Sequence, residues 1–275
     1  MNTAQATPND GRPGTAAPGV PLTTRADARV LDGLRTALGG LLDGPSREHY
    51  TAPPVIARRT VELAGYHTSF PQLLGAVHGG HDGEPAPTDL VLTPAACHHL
   101  YPLLAAEGGP AGGTLSVEAQ CYRGELTTES GRLRSFRMYE FVTVGRPEEV
   151  ERWRDAALTR AGELLHRLGL SPRTEAANDP FFGRAGRLAA NLQHAQQLKW
   201  ELVVPTSDGI EQAVSSANYH KEHFGEAFGL SDGDGQPAHS ACLAFGLDRL
   251  VLALRHRYEF DTGRWPQDVR SLLAL

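Results

Sequence analysis

Two strand-like runs joined by a charged loop govern what this chain can fold into. Leu115 to Tyr122 and Ser135 to Val144 are rich in β-forming side chains, and the polar segment Gly124 to Leu133 makes them a long hairpin with charges at its tip. Further strand-like runs follow at Lys199 to Pro205, Val214 to Asn218 and Ser240 to Phe245. Helical patterns are interspersed late and no βαβ alternation develops, so the expectation is an α+β fold on an antiparallel sheet. No Gly-rich phosphate loop of either standard kind occurs, so a nucleotide would have to be held by arginines.

The remaining pattern is mostly helical. Ala26 to Leu42 places Val30, Leu34 and Leu38 at helical spacing and ends at Gly44-Pro45. Pro53 to Ala64 reads as a second amphipathic helix, and Asp89 to Leu92 as a short strand. Pro94 suits the first turn of a helix over Ala95 to Ala106, because its missing N–H costs nothing there. Glu148 to Leu168, Gly186 to Leu198 and Leu247 to Arg255 complete the set. There is no internal repeat, so residues 26–275 read as one domain with a helical insertion around 178–200. Residues 1–25, rich in Pro, Gly, Thr and Ala, read as a disordered leader without the basic and apolar regions of a secretory signal. No apolar run approaches the roughly 20 residues that cross a bilayer, and the expected compartment is the cytoplasm. The net charge of −6 lowers the expectation of a nucleic-acid substrate, since phosphate neutralisation needs a basic surface.

Two constellations carry chemistry. The first is Cys121-Tyr122-Arg123-Gly124-Glu125 with Arg134-Ser135-Phe136 across the hairpin. An arginine at a strand end can bind two phosphate oxygens at once, and a nearby aromatic can stack on a purine. A solvated hairpin with surface charges would read the same way. The second is Ala244-Phe245-Gly246-Leu247-Asp248-Arg249, a strand–Gly–helix junction with an arginine in the first helical turn. By itself that arginine could simply pair with a carboxylate. Three cysteines, Cys97, Cys121 and Cys242, are too few and too odd for a disulfide framework.

Together the two constellations resemble motifs 2 and 3 of the class II aminoacyl-tRNA synthetases. That resemblance implies an antiparallel β-sheet of six or seven strands flanked by helices, and ATP bound with Mg2+. It implies that Arg123 contacts the α-phosphate, that Glu125 meets the adenine amino group, and that Phe136 and Arg249 sandwich the ring. Arg134 joins the ATP-binding set, with Arg123 and Arg249 as the catalytic pair. Ser69-Phe70-Pro71 lies where motif 1 belongs, which implies a homodimer. Val214-Ser215-Ser216-Ala217-Asn218 is similar to the seryl-type segment before motif 3, which assigns Ser216 and Asn218 to substrate binding. Ala213 stands where that segment usually begins with a magnesium-binding glutamate, with Glu211 and Gln212 just upstream.

The blocks ANDPFFGRAGRLAANLQHAQQLKWEL, SSANYHKEHFG, LTPAACHHLYP and HSACLAFGLDR resemble something narrower, the amino acid:[carrier protein] ligases, which are truncated seryl-type homologues. The likeness runs from about Tyr66 to the C-terminus. It implies a zinc ion on Cys97, Glu140 and Cys242, with a fourth position open for the substrate amine. Cys121 reads as a packed strand residue. His98 and His99 are weaker alternatives as ligands, and Glu201 is the alternative carboxylate.

The reaction implied is activation of a small amino acid, glycine or alanine, as its adenylate, and transfer to the phosphopantetheine thiol of a carrier protein. The lack of a long N-terminal RNA-binding arm and the acidic charge set the expectation against tRNA. Arg184, Arg187 and Lys199 are the residues expected to meet an acidic carrier. Two other readings stay open: an amide-forming ligase acting on a small-molecule amine, and a non-catalytic paralogue serving as a binding module.

Overall fold

The chain is described by a computed structural model covering residues 17–42, 46–81, 83–108, 113–125 and 129–275. Helix α1 (Arg25–Gly39) opens at Thr24, whose side chain closes a capping box with Asp27. Strands β1 (Ser46–Ala52) and β2 (Val55–Ala57) precede the short helices α2 (Arg58–Leu63) and α3 (Tyr66–Ser69). The hairpin β3 (Ala76–His81) and β4 (Glu84–Leu92) leads through a 3-10 turn to α4 (Leu100–Ala106). Next come β5 (Thr114–Tyr122), β6 (Ser135–Gly145), α5 (Pro147–Arg167), β7 (Arg173–Ala176) and α6 (Gly183–Ala195). The chain ends with β8 (Lys199–Ser207), β9 (Ile210–Lys221), α7 (His223–Phe228), β10 (His239–Gly246), α8 (Leu247–Tyr258) and α9 (Gln267–Leu272).

Seven strands form the main sheet in the order β1-β5-β6-β10-β9-β8-β7, and β2-β4-β3 form a small second sheet. All pairs in the main sheet are antiparallel except β1 with β5. The α+β antiparallel expectation therefore holds, and the hairpin forms in the register that sets Cys121 opposite Phe136.

Central strand β10 shows how the layers are built. Successive side chains point to opposite faces, so Leu243 and Phe245 enter a core with Leu164, Leu165, Leu250 and Leu254 of α5 and α8. Cys242 enters the opposite core with Tyr101, Val117 and Phe224. Both faces are thus covered, which explains the nearly continuous apolar run from Ala241 to Phe245.

Three local expectations need correction. Pro53 to Ala64 is not one helix: β-branched Val55 and Ile56 pair with Leu92 and Val91, and the helix begins only at Arg58. Pro94 lies outside its helix, because Ala95 is extended and the first turn, Ala96–His99, is 3-10. The leader, expected to run to residue 25, gives way to packed chain earlier. The Gly19 carbonyl accepts hydrogen bonds from the Arg134 and Ser135 amides at 2.8 and 3.1 Å. Residues 1–16 of that leader lie outside the described residues.

Candidate active site

A cleft with about 720 Å³ of empty space opens over one face of the sheet, between the β5–β6 hairpin, β8, β9 and the start of α8. Its walls carry Arg123, Glu125, Arg132, Phe136, Ser216 and Arg249, with Lys199 and Glu201 beyond them. Arg123 follows the last residue of β5 and is half-buried, with its Nε enclosed. Its guanidinium lies 5.2 Å from the centre of the Phe136 ring, and its Nε has no hydrogen-bond partner among the described residues. Burial opposes its charge, but Tyr66, Cys121, Asp179 and Glu125 outweigh that and keep the guanidinium protonated.

Arg249 sits one turn into α8, where Gly246 turns the chain from strand to helix. It donates to two carbonyls, Gly131 at 3.0 Å and Ala213 at 2.9 Å. Burial, then Arg123 and Arg132, pull its pKa down. Those carbonyl contacts tie the hairpin loop to β9 without cancelling its positive charge. Asp248, beside it, accepts from the Arg137 side chain at 2.8 Å and the Arg137 amide at 2.7 Å. Among the described residues, Glu125 meets only the edge of Arg132, at 3.4 Å. The cleft therefore gathers cations whose charge is incompletely balanced, the arrangement that receives a polyanion.

Strand β9 contributes more wall than a regular strand could. Its register with β8 steps from Ser215↔Leu202 to Ala213↔Val203, which leaves Val214 as the extra residue of a bulge. A bulge re-aims side chains on a sheet face, and here consecutive Ser215 and Ser216 both border the cleft.

Beneath the cleft, Cys97, Glu140 and Cys242 converge from three elements, all buried. The Glu140 carboxylate accepts from the amides of Ala96 and Cys97, both at 3.1 Å. The Cys97 thiol keeps its proton and donates to the Cys242 sulfur, which holds Cys242 well below the usual thiol range. Asn218 Nδ2 donates to the Cys242 Sγ at 3.3 Å, and His220 Nε2 lies 3.6 Å from it. Two thiols and a carboxylate beside an imidazole are zinc-site donors in kind. As they stand, they are turned onto one another and onto backbone amides. Among the described residues no group of three or more His, Cys, Asp or Glu is arranged to hold a metal ion.

No protein-family model matches the chain. Two curated relatives are amino acid--[acyl-carrier-protein] ligases 1 and 2 of Bradyrhizobium diazoefficiens. Each is 43% identical, over 245 and 253 residues, spanning 81% and 84% of this chain and 75% and 76% of theirs. The chain belongs to the amino acid--[acyl-carrier-protein] ligases. A more distant likeness is to the type-2 serine--tRNA ligase of Methanococcus aeolicus, 32% identical over 197 residues, 67% of this ligase but only 37% of that protein. Among solved structures, M. kandleri SerRS, crystallised with A. aeolicus tRNASec, matches with a TM-score of 0.74 at 20% identity. Seryl-tRNA synthetase of Pyrococcus horikoshii complexed with ATP matches at 0.65 and 18%. Both comparisons cover 94% of this ligase and 57% of the other chain. The fold is that of a class II synthetase.

The geometry sorts the expected site residues. Arg123, Glu125, Phe136, Ser216 and Arg249 share the cleft. Arg134 does not border it: its Nη2 donates to the Tyr122 hydroxyl at 2.8 Å. Asn218 lies at the cysteine cluster instead, beside Cys242. Cys121 is a packed strand residue. His99 is engaged by Thr93 at 3.0 Å, while His98 is enclosed and pushed down to about 3, by burial first and then by His220. Glu211 pairs with Arg173 at 2.6 Å on the surface, and Gln212 is held by Thr206, Glu129 and Ser130.

Lys199 is the clear correction to the carrier-binding set. Its side chain is only 12% exposed, with its ammonium 2.6 Å from Asp179 and 3.1 Å from Glu201, because β8 turns it into the cleft rather than toward solvent. Arg187 is exposed on α6, and the Arg184 side chain lies outside the described residues. Arg132 was missed by sequence reasoning; its only signal was its place among the loop charges. No helix among the described residues is long and apolar enough to cross a membrane.

Proposed function

We propose that this ligase activates a small amino acid, glycine or alanine, with ATP and transfers it to the phosphopantetheine thiol of a carrier protein. The observation that carries the reading is Arg123, whose Nε is buried and unpaired in a cleft that it shares with Phe136 and Arg249. In this reading a carboxylate oxygen of the amino acid attacks the α-phosphorus. The bond to the bridging oxygen of the β-phosphate breaks, and pyrophosphate leaves. The thiol sulfur then attacks the acyl carbon, AMP leaves, and the thiol proton passes to solvent. Arg123 holds the α-phosphate oxygens, and Phe136 and Arg249 enclose the adenine against Glu125. Alignment and charge neutralisation by fixed groups supply most of the acceleration. Magnesium carried by the ATP would offset phosphate charge, and Glu201 is a cleft carboxylate that could hold it.

Ser216 and Ala244 face each other on β9 and β10 and both border the cleft, which supports a small side chain on the substrate. The carrier as acceptor is supported by the activity for which the two relatives are named. Arg187, with Arg184, is the proposed contact on α6. Zinc on Cys97, Glu140 and Cys242 belongs to the same reading, supported by the kind and burial of the donors; when bound it would hold the substrate amine. The protein acts in the cytoplasm as a homodimer through the Ser69-Phe70-Pro71 segment.

The test begins with pyrophosphate exchange across a panel of small amino acids. Exchange with glycine or alanine, followed by acid-stable label on holo carrier protein and none on tRNA, is the expected result. Label on tRNA alone, or on a small-molecule amine, overturns it. Purified wild-type protein is expected to carry one equivalent of zinc by elemental analysis, and Cys97→Ala to carry none. Equal metal content in the two would remove zinc from the reading.

A further inference from the structure

The segment 177–199 is held to the body near both ends: the Phe182 amide donates to the Ser69 carbonyl at 2.8 Å, Phe181 stacks on Phe70, and Arg154 donates to the Gln197 carbonyl at 3.1 Å. Among the described residues, α6 makes no extended packing with another helix or strand. Gln193 links it to the cleft side by clasping Asp179 twice: the Asp179 amide donates to Gln193 Oε1 at 2.7 Å, and Gln193 Nε2 donates to Asp179 Oδ2 at 2.8 Å. The other carboxylate oxygen of Asp179 takes the Lys199 ammonium at 2.6 Å. Lys199 reaches on to Glu201, a cleft residue, at 3.1 Å.

This chain of contacts is electrostatically taut. Burial alone would discharge Lys199, yet Asp179 and Glu201 outweigh it and keep the ammonium charged. Burial likewise opposes Asp179, and Lys199, Gln193 and Arg123 hold it ionised. Asp179 is thus counter-ion to Lys199 and also to Arg123, the residue assigned above to the α-phosphate. It cannot shift without lengthening a bond to Gln193 or to Lys199. In a poorly solvated site each such change alters the charge that the cleft presents to a ligand.

We propose that Gln193, Asp179 and Lys199 form a relay through which a carrier protein docked on α6 and an amino acid bound in the cleft change each other's affinity. Asp179 and Lys199 are positioning residues in it, and Gln193 is the link to the helix. The proposal rests on the carrier reading of α6. Because coupling between two ligands is reciprocal, both must respond by the same factor.

The experiment uses the full chain and an acyl carrier protein in its apo form, which lacks the thiol and cannot consume the adenylate. Pyrophosphate exchange is measured with the small amino acid that is fastest in the panel, with and without saturating apo carrier. In the wild type, apo carrier is expected to lower the KM for the amino acid by about fivefold. Gln193→Ala and Gln193→Glu, which break the clasp outside the cleft, are expected to keep carrier-free exchange within about twofold and to lose the carrier effect. The same amino acid at saturation should in turn tighten apo-carrier binding in the wild type and not in the variants. A KM that ignores apo carrier in the wild type overturns the relay, as does a carrier effect that survives in both variants with unchanged melting temperature. Failure of holo carrier to accept any label would instead overturn the carrier reading itself.

Discussion

Arg123→Ala lowers amino-acid-dependent pyrophosphate exchange by about a thousandfold in kcat/KM, while the protein melts at the wild-type temperature or above it. The two halves of that expectation have one cause. The Arg123 Nε is buried and unpaired, and its neighbours Asp179 and Glu125 are themselves engaged by Lys199 and Arg132. Burying a polar group without a full set of partners costs about 1–3 kcal/mol, and the folded ligase carries that cost until a phosphate arrives. Removing the group removes both the cost and the use. Arg123→Lys should recover little, since a point charge replaces a fork that binds two oxygens. Paired kinetics and calorimetry check this; a variant that loses stability in step with activity would mean that Arg123 is a structural cation.

Glu140→Ala is the change expected to cost the most stability, about 2–6 kcal/mol, the sum for two buried N–H donors left without acceptors. The carboxylate meets the Ala96 and Cys97 amides at 3.1 Å each, and so fixes the 3-10 turn that carries Cys97 onto β6. Glu140→Gln keeps one acceptor oxygen and should lose about half as much. Burial first, and Cys242 next, raise the Glu140 pKa, so the folded state holds this proton more tightly than the unfolded chain. That contribution is complete below the unfolded carboxylate value of about 4.3 and is lost as pH rises through the raised folded value. With any metal stripped by a chelator, the gap in denaturant midpoint between wild type and Glu140→Gln should therefore narrow as pH rises above about 4.3. A gap that widens over that range would show that the ionised carboxylate is the form the fold prefers.

The hairpin and the β10–α8 junction were legible because their signals are local. Arginine at a strand end, an aromatic across the ladder and glycine before a helix all lie within short stretches of sequence. The position of Lys199 was not legible, because a lysine just after a helix reads as solvated. Only the fold brings Asp179, twenty positions upstream, to within 2.6 Å of it. The bulge at Val214 was hidden for a related reason: β9 alone carries no mark of it, and it exists only in the register with β8. Arg134 was expected at the ATP site by its place in the hairpin. It turns instead to Tyr122 and the Gly19 strap. Strands β1 and β7 escaped notice because SREHYTA and RTEA are polar, as suits strands at the two margins of a sheet.

One of those margins has a further consequence. Strand β7 is four residues long, and Arg173 within it is locked to Glu175 at 2.7 Å and to Glu211 at 2.6 Å. Any foreign strand that tried to lengthen the sheet there would find few free backbone groups and a fixed row of charge to displace. The ligase is thereby guarded against zipping into fibrils at the end of the sheet that lies next to its own cleft, so the concentration at which it stays monodisperse should drop when Arg173 and Glu175 are both neutralised.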